Sequence, residues 1–160
     1  MIETYKKDVF EILRKLNNLE TAAERREAIV NLGEAQPIIN DILAIQFNDC
    51  IREYIDFPDT PPPYTEAPDG QNASNLRKEY KKFSNFISHP GNRLPALRRE
   101  TMFIQMLEGL NHEDAKIVAN LFTSGEWEFR GINKLLVKKA LPKLLDTPTW
   151  YKPRKGASNI

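Results

Sequence analysis

Positively charged side chains cluster near the C-terminal end of the sequence, at a spacing that suits anion binding. Lys134 and Lys138 lie four residues apart in a stretch with helical periodicity, so they share one stripe of a predicted helix at 131–141. Gly131 allows close backbone approach at the start of this helix, where the first amide groups are free to bind a phosphate. Further basic residues of the same stretch are Arg130, Lys139 and Lys143.

The same stretch also offers an apolar face. The apolar residues recur at i, i+3, i+4 and i+8, and this spacing predicts a side that packs against a core. They are Ile132, Leu135, Leu136 and Ala140. The predicted helix is therefore amphipathic, with one side for a core and the other for an anion.

Other basic residues recur along the second half of the chain and are further candidates for phosphate contacts. Such contacts hold a protein on nucleic acid without reading its sequence. In a basic, extended tail, Trp150 and Tyr151 are expected either to stack on a base or to pack on their own domain. The additional candidate residues are Lys81, Lys82, Arg98, Arg99, Lys152, Arg154 and Lys155.

Helical periodicity predicts an all-α domain of about seven helices over residues 1–145, followed by the basic tail 146–160. No stretch alternates with the two-residue period of a strand. The helices are expected at 2–17, 21–32, 37–56, 75–88, 95–109, 111–122 and 131–141.

Several helix ends carry recognisable signals. Thr21 and Glu24 form a capping box, and Gly33 is expected to stop the second helix in a left-handed conformation. Pro37 suits a first helical turn, and the apolar helix that follows should be central. The expected cap of helix 75–88 is Ser74.

Two later predicted helices carry similar signals. Asn111 is expected to cap helix 111–122, and Leu97 belongs to the apolar stripe of helix 95–109. Trp127, near the turn that leads to the basic helix, is expected to plug the core.

Residues 57–73 form a proline-rich loop within the predicted domain. Five of these 17 residues are proline, and almost nothing in the segment can be buried. Pro61-Pro62-Pro63 favours an extended path, and Pro68-Asp69-Gly70 favours a turn. A surface excursion is expected, and a ligand for proline-binding domains is the alternative.

Composition indicates one globular domain inside a cell. The 160 residues are 41% hydrophobic and 28% charged, which is ordinary for a soluble protein. Cys50 is the only cysteine, so an internal disulfide and a cysteine-based zinc site are excluded. No apolar run approaches the roughly 20 residues needed to cross a bilayer, and no secretion signal is recognisable.

The net charge of +1 hides a strong division along the chain. Residues 1–70 hold 7 Lys/Arg and 14 Asp/Glu, whereas residues 130–160 hold 8 and 1. A basic surface that faces a polyanion is one explanation. The alternative is a solvated C-terminal segment that pairs with the acidic first part of the chain.

Motifs for catalysis are missing from the sequence. Neither the G-x-S-x-G motif nor the phosphate loop G-x-x-x-x-G-K-[ST] is present. His89 and His112 lie at helix boundaries without metal-ligand spacing. We therefore expect no enzyme, no cofactor and no metal site.

Three stretches of the sequence resemble a known DNA-binding domain. They are ILRKLNNLETAAERREAIV at 12–30, EDAKIVANLF at 113–122, and Gly131 with a proline eleven residues later in Pro142-Lys-Leu144. Over residues 8–145 the chain is similar to the N-terminal DNA-binding domain of T-even phage DNA ligases. It also resembles an uncharacterised family of small proteins of T-even-like phages, including those of marine cyanobacteria.

The resemblance implies an all-helical domain that grips duplex DNA by its backbone, across the minor groove, in the cytoplasm of an infected bacterial cell. It also implies that Gly131, Asn133 and Lys134 lie at a helix start that approaches phosphate. The ligase motif K-x-D-G is missing, because Ala67 stands where the nucleophilic lysine should precede Asp69-Gly70. The chain is therefore not expected to be a ligase.

The leading hypothesis is a non-catalytic, sequence-tolerant protein that binds double-stranded DNA, as an accessory in phage replication, repair or nucleoid handling. The alternative is an adaptor that binds a phage or host protein. Its contact surface would be the acidic N-terminal half or the proline-rich loop.

Overall fold

The computed structural model describes residues 8–68, 71–124 and 126–152. These residues form helices and no strand, so the predicted all-α class and the single domain are confirmed. The α-helices are α1 (Val9–Asn17), α2 (Ala22–Ala35), α3 (Pro37–Phe47), α4 (Asp49–Arg52), α5 (Leu76–Glu79), α6 (Ala96–Gly109), α7 (His112–Phe122) and α8 (Lys134–Ala140). The first 3₁₀ helix is Tyr80–Phe86 and the second is Pro142–Leu145.

The predicted helix ends near α2 are partly right. The Thr21 hydroxyl accepts a hydrogen bond from the amide of Glu24 at 3.1 Å, so the predicted cap is confirmed. The prediction that Gly33 stops this helix is wrong, because α2 continues to Ala35. Gly33 is instead buried inside α2, where a Cβ atom would overlap the side chain of Asn40 on α3. Its absent side chain lets the two helices approach each other.

The central helix is shorter than predicted, because Asn48 interrupts it. Asn48 has an extended backbone, and its Oδ1 accepts from the amides of Cys50 at 2.9 Å and Ile51 at 3.2 Å, which starts α4. Its Nδ2 donates to the carbonyls of Leu144 and Asp146, both at 3.0 Å. One buried side chain therefore ends α3, caps α4 and fixes the second 3₁₀ helix beside them.

The predicted helix 75–88 is mostly a 3₁₀ helix. Asn75, rather than the predicted Ser74, caps α5 through a 3.1 Å hydrogen bond from the amide of Lys78. Ser74 instead donates from its hydroxyl to Glu79 at 2.8 Å and from its amide to the carbonyl of Gly109 at 2.9 Å. Through its hydroxyl and its amide, Ser74 therefore joins α5 to the end of α6.

The core surrounds α3, which packs against α2, α4, α7, α8 and the second 3₁₀ helix. Its predicted central position is confirmed. Phenylalanine rings from three elements meet in the core in edge-to-face contacts, with ring centroids 5.3–5.9 Å apart. These rings are Phe83, Phe86, Phe103 and Phe122.

The proline-rich loop has neither helix nor strand in its described residues, as predicted. It is less detached than its composition indicates. Phe57 packs against Phe103 with ring centroids 4.6 Å apart, and Tyr64 also contacts the core. The amide of Thr65 donates to a carboxylate oxygen of Glu108 on α6 at 2.7 Å. The aromatic residues anchor a loop whose prolines remain near the surface.

Leu97 is 77% exposed, so its predicted place in the core stripe of α6 is wrong. The first turn of α6 extends beyond the core, and no neighbour covers this side chain among the described residues. Within the described part of the chain, no helix is both long enough and apolar enough to span a membrane.

Candidate nucleic-acid interface

The turn that precedes α8 is held by an aromatic anchor. The indole Nε1 of Trp127 donates to the carbonyl of Ile132 at 2.8 Å. The ring packs edge-on against Phe47 of α3 and against Phe129, at centroid distances of 5.5 and 5.1 Å. Trp127 is partly buried and packs against the core, so its predicted role as a core plug is confirmed in part. It also fixes the direction in which the chain enters α8.

Gly131 packs against the end of α1 and is not exposed as a phosphate cradle. Its amide donates to Asn17 Oδ1 at 2.6 Å. A Cβ atom at this position would lie 2.7 Å from that oxygen and 2.8 Å from the backbone carbonyl oxygen of Asn17. The prediction that Gly131 opens a helix end for phosphate is wrong, since α1 already occupies this backbone.

The helix itself begins three residues later than predicted. Asn133 is its N-cap, and Asn133 Oδ1 accepts from the amide of Leu136 at 2.9 Å. The seven-residue α8 therefore starts at Lys134, and its free amides are partly satisfied by its own cap. The side chain of Asn133, which the ligase resemblance placed near phosphate, is already used within the protein.

The buried face of α8 also differs from the predicted one. Leu136 and Val137 point into the core, whereas Leu135 is 62% exposed. With Leu136 and Val137 inward, Leu135 falls about 100° away from Leu136 around the helix and lies at the edge of the buried face. The exposed side of α8 therefore combines an apolar side chain with lysines on either side of it.

Lys134 forms an ion pair with the acidic first part of the chain. Its Nζ lies 2.6 Å from Asp49 Oδ2, and the two side chains are 51% and 82% exposed. The expectation that basic C-terminal residues pair with the acidic N-terminal region is therefore met at this position. An ion pair this exposed contributes little to stability, about 0–1 kcal/mol.

The other four cations of this stretch remain unpaired among the described residues. They are exposed and have no carboxylate within salt-bridge distance there: Arg130, Lys138, Lys139 and Lys143. We call these four residues together with Lys134 the α8 surface. Lys134, Lys138 and Lys139 lie on α8, and Arg130 precedes the helix. Lys143 lies on the second 3₁₀ helix, which packs against α8.

A shallow groove of about 410 Å³ runs between α2 and α8, beside this surface. It is lined by Arg26, Glu27 and Lys139 and by small or apolar residues including Ala23 and Val30. Arg26 thus adds a cation that the sequence pattern did not assign, because it belongs to the acidic half of the chain. The Arg25-Arg26 pair on one helix was the only available signal.

The second group of predicted basic residues lies elsewhere. Lys81 and Lys82 are on the first 3₁₀ helix, which packs against α5 and α6, and Lys82 pairs with Glu79 at 2.7 Å. Arg98 is exposed on α6, whereas Arg99 is 8% exposed. The main packing partners of α8 are α2, α3 and the second 3₁₀ helix, so these two groups lie on elements that do not pack closely together.

The first residues of the predicted tail pack on the domain. Tyr54 contacts the rings of Trp150 and Tyr151 at 5.5 and 5.7 Å, and its hydroxyl donates to the carbonyl of Lys152. Trp150 also lies 5.1 Å from the ring of His89. Of the two roles expected for this aromatic pair, the structure shows packing on the domain. Lys152 is exposed, and the predicted site residues Arg154 and Lys155 lie outside the described residues.

Each histidine has a partner within the protein. His89 Nδ1 accepts from the amide of Gly91 at 3.1 Å, within its turn, and His112 Nδ1 lies 3.0 Å from a carboxylate oxygen of Glu66. Over residues 8–68, 71–124 and 126–152, no group of three or more His, Cys, Asp or Glu side chains is arranged to hold a metal ion.

The fold and this surface together define a small all-α domain with an exposed cationic helix. The chain belongs to a family of unknown function, DUF6433, which matches residues 12–124. The match includes most of α1 and all of α2–α7, and it ends before α8. Neither the comparison with curated proteins nor the one with solved structures gives a match.

Proposed function

We propose that this protein is a non-catalytic, sequence-tolerant accessory protein of a T-even-like phage that binds double-stranded DNA. The α8 surface contacts the phosphate backbone. The observation that carries the proposal is the presence of four exposed cations without an ionic partner in the described structure, within 14 residues of one helix and its flanks. Their charge remains available to a polyanion.

The spacing of these charges suits a nucleic-acid strand. Lys134 and Lys138 are one helical turn apart, which separates their Cβ atoms by about 6 Å. Two nucleotide steps along one strand of duplex DNA amount to roughly 7 Å. Lysine side chains are long enough to absorb the difference, and ammonium–phosphate contacts are indifferent to base sequence.

Side-chain cations, the ammonium groups of four lysines and the guanidinium group of Arg130, carry the contact in this proposal rather than helix amides. The amide of Gly131 is bonded to Asn17, and Asn133 caps α8. The interface should therefore behave as a set of point charges, without the directional hydrogen bonds of a helix end. Strong dependence on salt follows from this composition.

Duplex DNA titrated at several salt concentrations tests the proposal. With about four phosphates neutralised, log Kd should rise with log salt at a slope of roughly 3.6, so affinity falls about a hundredfold from 50 to 200 mM salt. Two duplexes of unrelated sequence should bind alike. A salt-independent affinity would contradict electrostatic binding by this surface.

A pair of charge reversals locates the interface. The double variant Lys138→Glu/Lys139→Glu should bind at least about tenfold more weakly at low salt, with a salt slope smaller by about 2. The matched control is Lys78→Glu/Lys116→Glu, which makes the same charge change at two exposed helical lysines away from α8. Its affinity should fall far less, and both variants should keep the helical circular-dichroism spectrum.

An equal loss in both double variants would indicate a response to net charge alone. Unchanged DNA affinity in the α8 variant would exclude this surface as the interface. Absence of DNA binding by the wild type, together with capture of a phage or host protein, would instead favour the adaptor function, with the acidic N-terminal half or the proline-rich loop as the contact.

A further inference from the structure

The N-terminal end of α6 has no cap of its own. Its N-cap residue is Pro95, which has no side-chain acceptor, and no acidic residue lies in the first turn. The amides of residues 96–98 have no hydrogen-bond acceptor among the described residues, whereas the next amide, that of Arg99, bonds to the carbonyl of Pro95 at 3.0 Å. This 14-residue helix therefore presents free N–H groups and the positive end of its dipole.

A buried guanidinium group lies at the same end. Arg99 is 8% exposed, and its Nη2 donates to the carbonyl of Leu94, the residue before Pro95, at 3.4 Å. Arg99 Nε is buried and has no hydrogen-bond partner among residues 8–68, 71–124 and 126–152. No carboxylate forms an ion pair with Arg99 in the described part of the chain. A buried cation without a counter-charge is costly, and an anion at this helix end would offset that cost.

Two further arginines flank the helix end on its exposed side. Arg93 and Arg98 are both exposed and have no ion pair among the described residues. Glu100 is the acidic residue of the same stretch, and it is exposed one turn further along the helix. The local charge of residues 93–100 is therefore positive.

The approach to the helix is fixed by Asn92. Its Oδ1 accepts from the amide of Leu94 at 3.0 Å, and its Nδ2 donates to the carbonyls of Asn85 at 3.0 Å and Ile87 at 2.8 Å. The segment that orients the Leu94 carbonyl is thus joined to the end of the first 3₁₀ helix. Because Arg99 is bonded to that carbonyl, its guanidinium is held in position before any ligand arrives.

We propose that the N-terminal end of α6 is a phosphate-binding site. Its donors are the amides of residues 96–98 and the guanidinium groups of Arg93, Arg98 and Arg99. Free amides at a helix end together with arginines match the oxygens of a phosphate group. The site lies apart from the α8 surface and does not depend on DNA binding there. Its ligand is a phosphate group, either free or carried by a nucleic-acid strand.

Nuclear magnetic resonance of the ¹⁵N-labelled full chain tests the site directly. The protein is titrated in one arm with inorganic phosphate and in the other with a short DNA duplex. In at least one arm, the amides of residues 96–98 and the Arg99 Nε–H should shift saturably. Saturation by inorganic phosphate identifies a free-phosphate site, and a response to the duplex alone identifies strand phosphates. Absence of saturable shifts in both arms would overturn the proposal.

Side-chain variants separate the site from general basicity. Arg93→Gln/Arg98→Gln removes the two exposed guanidinium groups and should weaken the response at least about tenfold. The control Lys78→Gln/Lys116→Gln removes the same charge from exposed positions elsewhere and should leave the response unchanged. Equal weakening in both would show nonspecific attraction and overturn the site.

A third variant excludes misfolding as the cause. Leu97→Asp places a carboxylate in the first turn of α6, at a side chain that is 77% exposed. The carboxylate interacts favourably with the helix dipole, so the melting temperature should stay equal or rise while phosphate binding is lost. Retained phosphate binding in this variant would place the ligand elsewhere. The test therefore needs no substitution of the buried Arg99.

Discussion

The N-terminal ends of α8 and α6 both lie among basic residues, but their polar groups are satisfied differently. At α8, Asn17 binds the preceding glycine, Asn133 caps the helix and Asp49 pairs with Lys134. At α6, the cap position is a proline, and a buried arginine faces the helix end without a carboxylate partner in the described structure. The helix with more basic residues around it, α8, is thus the one whose N-terminal polar groups already have partners within the protein.

The difference comes from short polar side chains and not from the number of positive charges. The side-chain oxygen of an asparagine at the N-cap accepts hydrogen bonds from the first helix amides, and the side chain of proline has no oxygen. A neighbouring helix end can supply a further acceptor, as α1 does for Gly131. A lysine-rich helix is therefore a better guide to side-chain contacts than to a free helix end.

The N-terminal end of α1 provides a third case. There, a carboxylate of the protein itself accepts a hydrogen bond from an amide of the first helical turn. Asp114 of α7 is 1% exposed, and its oxygens accept from the amide of Phe10 at 2.9 Å and from Asn111 Nδ2 at 3.0 Å. Burial raises the pKa of Asp114 from 3.8 to about 6, against the lowering effect of the hydrogen bonds from Phe10 and Asn111. Repulsion from Asp8 raises this pKa further.

The largest expected effect is a pH dependence of stability due to Asp114. Because its folded-state pKa is raised, its contribution to stability is fully present below about pH 4 and is lost as pH rises through about 6. The loss should amount to about 3 kcal/mol over this window. Urea unfolding of the wild type and of Asp114→Asn from pH 4 to 7.5 should show this slope only in the wild type.

The ¹³C shift of the Asp114 carboxyl group gives its titration midpoint independently. A midpoint near 6 supports the dominance of burial, whereas a midpoint near 4 would mean that the end of α1 compensates a buried anion fully. The second result would sharpen the contrast with α6, since it would measure how strongly a helix end of this protein holds a carboxylate.

A smaller effect is expected from Gly131→Ala. The added Cβ atom would be 2.7–2.8 Å from two oxygens of Asn17, so α1 and the α8 turn must separate. We expect a destabilisation of about 2 kcal/mol, measured by urea unfolding. The matched control is Gly109→Ala, where the nearest atom would be 3.9 Å away. A stable Gly131→Ala variant with weakened DNA binding would restore the phosphate-cradle interpretation of this glycine and break the comparison.

The smallest stability effect is expected from Asp49→Asn. The ion pair with Lys134 is exposed, so unfolding free energy should change by no more than about 0.5 kcal/mol. The freed ammonium group should raise DNA affinity by a few fold at low salt, an effect that fades at high salt. Glu27→Gln, beside Lys139 in the groove, is a second removal of acidic charge near the same surface. A decrease in affinity for both variants would contradict DNA binding by the α8 surface.

The sequence predicted the helical class, the Thr21 and Asn111 caps and the central α3, because each depends on neighbours within a few residues. It misplaced the end of α3 and the start of α8. Asn48 and Asn133 are the N-caps of α4 and α8. Asparagine is a preferred N-cap residue, so each was a sequence signal for a helix start. Hydrophobic periodicity continued across them and concealed the breaks.

The amino-acid sequence by itself determined that the chain forms helices and that residues 130–160 carry the excess of positive charge, since periodicity and charge are local properties. Only the tertiary structure decided which of these charges stay available. Asn17 reaches Gly131 across 114 positions of the sequence, and Asp49 reaches Lys134 across 85. Such partners meet through the packing of α1, α3, α4 and α8, and no spacing along the chain specifies that packing.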